Sequence, residues 1–436
     1  MNLKDRLRML KAAGTARPQP PQEDGPVLPA WEAAPLDEVI EGGPRRTYAG
    51  GCIDGYAIPV SAGEAFYVET RYPIEFCRGP LPLEYCFDVP GQAWQLLGRV
   101  PGNVQLQRAV FFDTETTGLE GGTGTYAFLV GLGFFENYDF VVRQYFLRDY
   151  PEEDAMLEAV AADLSRFDLI VSFNGKSFDW PLMETRFRIN RRKMPLAGAP
   201  HLDLLHPARR LWRDRLQQCN LTNLEAQILS EQRIGDVPGG MIPPLYFDYL
   251  RTGNGYPLLD VILHNRLDIV SLVSLAGWMG HIVTDPLNPT PDGELVCGDD
   301  LFGVGRLFAD RGDPGMAIAC MEAALERGVA AVGETLVQRT LSGVYKRVKE
   351  HERAVSIWQE MIGGAGGMSL YPYVELAKYY EHVSRDYPLA FEMAQRALAI
   401  AERRRTLAGA YGPGTLKDLE AARHRLNRLT RKLGTG

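Results

Sequence analysis

The chain has 436 residues, of which 45% are hydrophobic and 23% charged, values that exclude a disordered, collagen-like or disulfide-framework protein. At roughly 100 to 200 residues per domain, this length predicts two or three domains. The formal net charge of -8 excludes a global attraction to nucleic acid or to an anionic membrane, so a contact with phosphates has to depend on a local basic patch.

The cysteines and the N-terminus predict a cytoplasmic protein. The six cysteines contain no C-x-x-C pair, which disfavours a zinc ribbon or a redox motif, and free thiols are expected in a reducing compartment. Charged residues begin at Lys4, where a signal peptide has its apolar segment, and no run of 18 apolar residues occurs. We therefore expect no membrane partner.

The first 102 residues are predicted to form two segments. Over residues 1–46, Leu3, Leu7 and Leu10 lie on one face of a short basic amphipathic helix, and a Pro-rich linker follows. A frayed terminus without a binding role is the alternative. Residues 47–102 are rich in Gly, Pro and aromatics and are predicted to form a β-rich extension, with a strand at Phe66–Tyr72.

Residues 103–285 have the pattern of a mixed α/β sheet. Apolar or β-rich runs predict strands at Ala109–Asp113, Tyr126–Phe135, Phe140–Leu147 and Leu169–Phe173. A helical stretch begins at Glu152, and further helical segments follow the last of these strands. Three consecutive strands and then alternating helix and strand are the order of a ribonuclease-H-like fold.

Residues 300–433 contain repeated helical stretches. Aligning Ala317, Ala354 and Ala390 gives periods of 37 and 36 residues, close to the 34 residues of a tetratricopeptide repeat. These small residues are expected where paired helices approach each other, and a last helix over Thr415–Leu433 would cap the stack. We predict an all-α tetratricopeptide-like repeat domain, with an ordinary helical domain as the alternative.

The most informative string is Val110-Phe111-Phe112-Asp113-Thr114-Glu115-Thr116-Thr117-Gly118-Leu119. In a strand, Asp113 and Glu115 project from the same face, where two acids repel each other unless a cation lies between them. Oxygen ligands of this kind bind Mg²⁺ or Mn²⁺ rather than zinc. The alternative is a plain strand end at the surface.

Two more positions add to this pattern. Asp179 comes shortly after the strand that ends near Phe173, and His264 and Asp268 lie four residues apart on one face of a predicted helix. His264 alternatively only forms a hydrogen bond to a helix neighbour. His201, Asp203 and His206 alternate with leucines, and we expect a structural role for them.

These motifs resemble the DEDD superfamily of 3′→5′ exonucleases. A closer resemblance, over most of the chain, is to YprB-type ribonuclease-H-like proteins. It depends on the N-terminal helix, the 113–119 string, Phe173-Asn174-Gly175-Lys176-Ser177-Phe178-Asp179, Arg209-Arg210-Leu211-Trp212, Asp236-Val237-Pro238-Gly239, His264-Asn265-Arg266-Leu267-Asp268 and the repeats.

The resemblance implies a two-metal-ion site of the DEDD type. Asp113, Glu115, Asp179 and Asp268 would hold two ions, Mg²⁺ or Mn²⁺, with Asp113 bridging them. His264 is the candidate general base. It lies four residues before Asp268, the spacing of the Tyr-type branch, whereas the His-type branch has its His five residues before.

The resemblance and one basic stretch also imply nucleic-acid contacts. Thr116, Thr117, Gly118 and Leu119 would cradle the 3′-terminal nucleotide. Asn174 and Phe178 would contact a sugar or a base, although core packing is an alternative for Phe178. Residues 186–215 contain nine Lys or Arg against two acids, and Arg191, Arg192 and Lys193 are the predicted phosphate contacts, with a solvated helix face as the alternative.

The sequence thus predicts a metal-dependent nuclease, a 3′→5′ exonuclease on single-stranded DNA or RNA. A catalytically silent nucleic-acid-binding scaffold, whose repeats recruit a protein partner, is the alternative from another class. Hydrolysis of short oligonucleotides is a third reading. The same residues are compatible with DNA or RNA as the substrate and with exonucleolytic or endonucleolytic attack.

Overall fold

The computed structural model describes residues 45–48, 52–98, 100–118, 123–289, 293, 295–364, 369–408 and 415–434. Leu119 and nearly all of the predicted helix and linker over residues 1–46 lie outside these ranges. The described strands form one eight-stranded sheet in the order β1-β2-β3-β6-β5-β4-β7-β8. The strands are β1 (Arg45–Tyr48), β2 (Ile53–Val60), β3 (Gly63–Pro73), β4 (Ala109–Thr116), β5 (Ala127–Glu136), β6 (Asp139–Phe146), β7 (Leu169–Ser172) and β8 (His201–Asp203).

The sheet changes from antiparallel to parallel at β4. This strand pairs antiparallel with β5 and parallel with β7, and β7 pairs parallel with β8. The carboxyl ends of β4, β7 and β8 therefore meet at one edge, where ligands bind in open α/β sheets. The predicted ribonuclease-H-like mixed sheet, followed by an all-helical region, is confirmed.

The β-rich extension belongs to this same sheet. β2 pairs with β3, and β3 pairs antiparallel with β6 from Tyr67 to Pro73. The predicted strand at Phe66–Tyr72 is part of β3. The domain boundaries at residues 102, 285 and 300 stay predictions.

Helices cover both faces of the sheet. Those up to Thr284 are α1 (Gly91–Gly98), α2 (Glu153–Leu164), α3 (Asp179–Ile189), α4 (Leu205–Trp212), α5 (Leu221–Leu224), α6 (Ile242–Thr252) and α7 (Leu258–Thr284). Phe111 of β4 packs in the cluster that contains Ile269 of α7, while Phe112 makes an edge-to-face contact with Trp180 of α3. Because both faces of β4 are covered, its apolar run is continuous rather than alternating.

The long helix α7 is the only described element with the length and composition of a membrane span. Its apolar window is 72% buried inside the molecule, so it packs as a core helix. Two glycines let it approach the sheet: a Cβ on Gly131 would lie 2.4 Å from Oδ1 of Asn265, and one on Gly133 would lie 2.4 Å from Ile269. The backbone of β5 can therefore contact α7 directly beside Asp113.

The C-terminal region consists of helices that follow each other in antiparallel pairs. They are α8 (Gly298–Arg311), α9 (Pro314–Arg327), α10 (Glu334–Arg347), α11 (His351–Gly363), α12 (Leu370–His382), α13 (Tyr387–Ala408) and α14 (Thr415–Gly434). The aligned residues Ala317, Ala354 and Ala390 are each 0% exposed. Gly303 packs against α4, where a Cβ would lie 2.0 Å from the carbonyl oxygen of Leu211. The helical region therefore packs against the sheet region through α8 and α4.

Candidate metal and nucleic-acid site

The carboxyl end of β4 carries the first two acids of the predicted site. Phe111 packs toward α7, and residues two apart on a strand point to the same face, so Asp113 and Glu115 also face α7. Beyond Glu115 the register with β5 shifts. Such a bulge redirects the following side chains and ends regular pairing at the edge of the site.

A chain of buried amides holds Asp113. Its Oδ2 accepts a hydrogen bond from Nδ2 of Asn265 at 2.8 Å, and Oδ1 of Asn265 accepts one from Nε2 of Gln144 at 2.9 Å. Gln144 and Asn265 are both fully buried, and Gln144 also donates to the carbonyl of Ile262 at 2.8 Å. The carboxylate is therefore positioned by the core of the protein.

Asp179 reaches the same edge from the other face of the sheet. It is the first residue of α3, and its Oδ1 accepts a hydrogen bond from the hydroxyl of Thr114. Asp203 shapes the preceding loop, because its carboxylate accepts from the backbone N–H groups of Asn174 at 2.7 Å and Lys176 at 3.3 Å. Nε2 of His201 lies 2.7 Å from Oγ of Ser172.

His264 and Asp268 lie one turn apart on α7. Nε2 of His264 is 3.6 Å from Oδ2 of Asp268 and 3.9 Å from Oε1 of Glu115. One ligand atom from each of these three residues lies within 4.8 Å of the other two. The described part of the chain therefore contains an acid and histidine cluster that can hold a metal ion.

A second acid orients the imidazole of His264. Nδ1 of His264 lies 2.7 Å from Oδ1 of Asp236, in the loop that precedes α6. An ionised carboxylate only accepts hydrogen bonds, so Nδ1 of His264 donates to Asp236, and Nε2 faces Glu115 and Asp268. The alternative was that His264 bonds only to a neighbour on its own helix. In the structure it also bonds to Asp236, which lies outside that helix.

A buried arginine contacts the late acid of the cluster. The side chain of Arg233 is 3% exposed, and its Nη2 donates to Asp268. Nε and Nη2 of Arg233 also donate to the two oxygens of Glu225 at 2.7 and 2.6 Å. Glu225 is fully buried at the start of a π-helical turn and also pairs with Arg78. Glu225 thus anchors an arginine beside the site.

Burial raises the pKa values of all four predicted metal ligands, and nearby acids add to the rise. Burial is the largest cause for each, and Asp268 and Asp179 further raise the pKa of Asp113 and of Glu115. The pKa of Asp179 is raised although Thr114 bonds to it, and that of Asp268 is raised although Arg233 opposes the shift. Like charges held this close ionise together more easily beside a bound cation.

The predicted nucleotide contacts lie around the same edge, where described. Thr117 and Tyr126 exchange two hydrogen bonds of 2.9 Å, and Oγ1 of Thr116 donates to the carbonyl of Gly118. Asn174 has a left-handed φ of 64°. Phe178 is 60% exposed, so the alternative of core packing for this ring is wrong.

The basic stretch divides into paired and unpaired residues. Arg186 is buried against Glu153, while Arg192 binds Asp154 and also Glu158 at 2.9 Å. Arg191 and Lys193 are exposed beyond the end of α3. The phosphate role of Arg191, Arg192 and Lys193 stays a prediction.

Comparisons with known proteins agree with this architecture. A model of the RNase_H superfamily matches residues 110–280, which include α3 and nearly all of β4 and α7. The uncharacterized protein YprB of Bacillus subtilis (strain 168) is 32% identical over 294 residues, which are 67% of this chain and 69% of YprB. The chain belongs to the YprB family.

A solved structure is a more distant match for this YprB-family chain. The family B DNA polymerase from the archaeon Pyrobaculum calidifontis is 14% identical, with a TM-score of 0.32. The match covers 57% of this chain and 34% of the polymerase, so the chain spans about a third of that protein. The fold assignment depends on the family, not on this polymerase.

Sequence reasoning missed the residues that support the acids in this YprB-family protein. Asp236 and Asn265 stand inside motifs that carried the resemblance, but their contacts with His264 and Asp113 join segments far apart in the chain. Arg233 lies three residues before Asp236, in no recognised motif. The burial of Arg233 is what marks it as part of the site, and a loop sequence does not reveal which of its residues are buried.

Proposed function

We propose that this protein is a metal-dependent nuclease that removes nucleotides from the 3′ end of single-stranded DNA or RNA. The observation that supports it most strongly is the convergence of Asp113, Glu115, Asp179 and Asp268 at one sheet edge, with the pKa of every one of these carboxyl groups raised. A ribonuclease-H fold that gathers four acids without an equal number of cations favours a bound cation and a phosphate substrate.

The donor set fits divalent cations. Asp113, Glu115, Asp179 and Asp268 would hold two ions of Mg²⁺ or Mn²⁺, because hard oxygen ligands prefer these metals. When bound, two such ions supply the positive charge that activates a water and stabilises the leaving oxygen. Asn265 keeps Asp113 in place through a hydrogen bond of 2.8 Å.

His264 is proposed as the general base. Its Nε2 would accept a proton from the attacking water, while Asp236 on Nδ1 stabilises the imidazolium that forms. The water oxygen attacks phosphorus, and the bond from phosphorus to the 3′ oxygen of the preceding nucleotide breaks. That oxygen takes a proton from solvent, and His264 releases its own proton to solvent. The products are a nucleoside 5′-monophosphate and a chain with a new 3′-hydroxyl.

The terminal nucleotide would lie against the segment after β4. Thr116, Thr117 and Gly118 form its backbone cradle in this proposal, and Leu119 follows them in sequence. Phe178, with its exposed ring, is placed to stack on a base or sugar, and Asn174 to donate from its amide. Arg191, Arg192 and Lys193 remain candidate phosphate contacts.

The test is cleavage of an end-labelled single strand with Mn²⁺ or Mg²⁺, resolved by length. The wild type should shorten both a DNA and an RNA strand, or one of them, by one nucleotide at a time. Asp113→Asn should lower the rate by about 10³-fold or more, because it removes several kcal/mol of charge stabilisation from the transition state.

The matched control is Asp260→Asn, which changes an exposed acid of α7 in the same chemical way. It should cleave as the wild type does. If the wild type is inert with both metals on both strands, the proposal of a nuclease is wrong.

One contact favours the alternative of a catalytically silent nucleic-acid-binding scaffold. Arg233 already pairs with Asp268 and neutralises part of the charge that a cation would otherwise balance. The same assay separates the two functions: retained binding of the strand by the wild type and by Asp113→Asn, without cleavage by either, supports the scaffold.

The helices α8 to α13 are proposed to be tetratricopeptide-type repeats that bind a protein partner. Successive first helices begin at Gly298, Glu334 and Leu370, and second helices at Pro314, His351 and Tyr387, so both series keep a period close to 36 residues. Proteins of this architecture bind partners on extended surfaces. Pull-down with residues 298–434 replaced by an unrelated helical domain would test this recruitment.

A further inference from the structure

A cavity of about 620 Å³ opens beside the carboxylates. Asp113 and Asp268 form one end of it, and Phe173 and Asn174 after β7 form another part. The remaining wall comes from α4 and the loop that follows it. This volume lies within the range of sites that hold small molecules or parts of larger ligands.

The α4 wall carries two arginines without acidic partners. Arg209 of α4 and Arg213, which follows the last residue of α4 and keeps a helical backbone conformation, both line the cavity. At a separation of four residues they lie on one face. Both are exposed, and neither forms an ion pair with any residue within the described ranges. Their neighbours in sequence differ, because Arg215 binds Asp300 and Arg210 donates to the carbonyl of Leu97 at 3.2 Å.

The positive charges of these arginines affect the pKa values of two neighbouring groups, Cys219 and Arg306. Burial raises the pKa of the Cys219 thiol, and Arg209 and Arg213 both oppose that rise. Burial lowers the pKa of Arg306 on α8, and Arg213 lowers it further. The cavity thus has an acidic end at Asp113 and Asp268 and a positive end at α4.

The rest of the wall can recognise bases. Three exposed amide side chains line the cavity: Gln217, Gln218 and Asn220. Each amide can donate and accept hydrogen bonds. Phe173 offers a partly buried aromatic ring. Cations for phosphates, amides for base edges and an aromatic ring are the groups that bind single-stranded nucleic acid.

We infer that Arg209 and Arg213 bind backbone phosphates of a single strand on the 5′ side of the scissile bond, and so make the site prefer a strand to a mononucleotide ester. The inference rests on the proposed function in one respect, since it places the 3′ end of that strand at the carboxylates. The inference assigns phosphate binding to the two arginines at the end of α4 rather than to Arg192, which is paired with Asp154 and Glu158.

The test compares the wild type with one variant, the α4 variant, which carries both Arg209→Gln and Arg213→Gln. The first measurement is the affinity for a fluorescent 12-nucleotide single strand in EDTA, where no cleavage occurs, over a range of salt concentrations. We expect affinity to fall about tenfold, and the slope of log affinity against log salt to decrease by about 1.4, since each contact with a single strand contributes roughly 0.7.

The second measurement uses two substrates with Mn²⁺. With an oligonucleotide the variant should have a raised KM and a kcat close to that of the wild type. Hydrolysis of the p-nitrophenyl ester of thymidine 5′-monophosphate, which has no upstream phosphate, should be unchanged. The matched control is Arg347→Gln with Lys349→Gln, which removes two exposed charges from the helical region and should behave as the wild type in every measurement.

The outcomes separate this inference from the proposed function. If the wild type cleaves the strand and the α4 variant binds and cleaves it with unchanged KM and salt slope, the inference is wrong and the nuclease proposal stands. In the other case the wild type cleaves no strand, and the α4 variant alone loses affinity and salt dependence. Phosphate binding by Arg209 and Arg213 then stands, and the nuclease proposal fails.

Discussion

Two buried groups of charges in this protein have opposite balances. At the edge of the sheet, four carboxylates meet. Arg233 pairs with one of them, Asp268, and also pairs with Glu225. In the helical region, the single carboxylate of Glu381 receives Arg428 at 2.8 and 2.6 Å and Lys432 at 2.9 Å, with Arg425 3.5 Å away.

The pKa values follow this difference. Burial alone would raise the pKa of both kinds of carboxyl group, and at the sheet edge it does, reinforced by neighbouring acids. At Glu381 burial also acts to raise the pKa, but Arg428 and Lys432 outweigh it and hold the value at about 2. A neutralised buried acid joins helices, whereas a cluster of acids lacking counter-charges indicates a site for a ligand.

Adding a divalent cation should have the largest effect on stability. If the sheet-edge acids bind Mn²⁺, a concentration a hundred times the Kd should raise the free energy of unfolding by about 2.7 kcal/mol, because only the folded protein binds it. Thermal unfolding in EDTA and in Mn²⁺ measures this. Asp113→Asn should lose most of the gain, while Asp260→Asn should retain it, and an equal gain in both variants would place the ion elsewhere.

Glu381→Gln should have the next largest effect, with the opposite sign. It removes charge-assisted hydrogen bonds, and we expect a loss of about 2 kcal/mol, reduced by the solvent exposure of the partner cations. Because the folded pKa of about 2 lies below the unfolded value, this stabilisation is present above about pH 4.3 and lost as the pH falls toward 2. Urea unfolding at pH 7 and at pH 3 should show the variant and the wild type converging in acid. Equal differences at both pH values would contradict the ion-pair explanation.

The smallest effect is expected for Asp113→Asn in EDTA. With its folded pKa above the unfolded value, Asp113 costs stability that is absent below about pH 4, grows as the pH rises toward the folded pKa, and is constant above it. The variant should therefore be more stable than the metal-free wild type at pH 7, by about 1 kcal/mol, a size typical of point substitutions. Stability curves from pH 4 to pH 8 measure it, and a less stable variant at pH 7 would show that repulsion is not what this carboxylate experiences.

Much of the fold was readable from the sequence. The continuous apolar run of β4 and the buried run of β7 predicted strands, and the repeated alanines Ala317, Ala354 and Ala390 predicted packed helix pairs. These patterns are local, since side-chain periodicity follows directly from strand and helix geometry. Phe178 was ambiguous for the same reason, because an aromatic residue at a helix start is apolar whether it is buried or exposed.

The amino-acid sequence alone specifies the acids, their order and their nearest neighbours. Asp113 shares a strand face with Glu115, and His264 shares a helix face with Asp268. The groups around these residues depend on the tertiary fold. Asp236 contacts His264, Arg233 contacts Asp268, and Arg209 and Arg213 line the adjoining cavity without an ion pair to any described residue. All of them come from loops and helices that approach in space. Which arginine is neutralised and which is free to bind a phosphate depends on those approaches, because a charge pairs with whatever lies within a few ångströms of it and not with its neighbours in sequence.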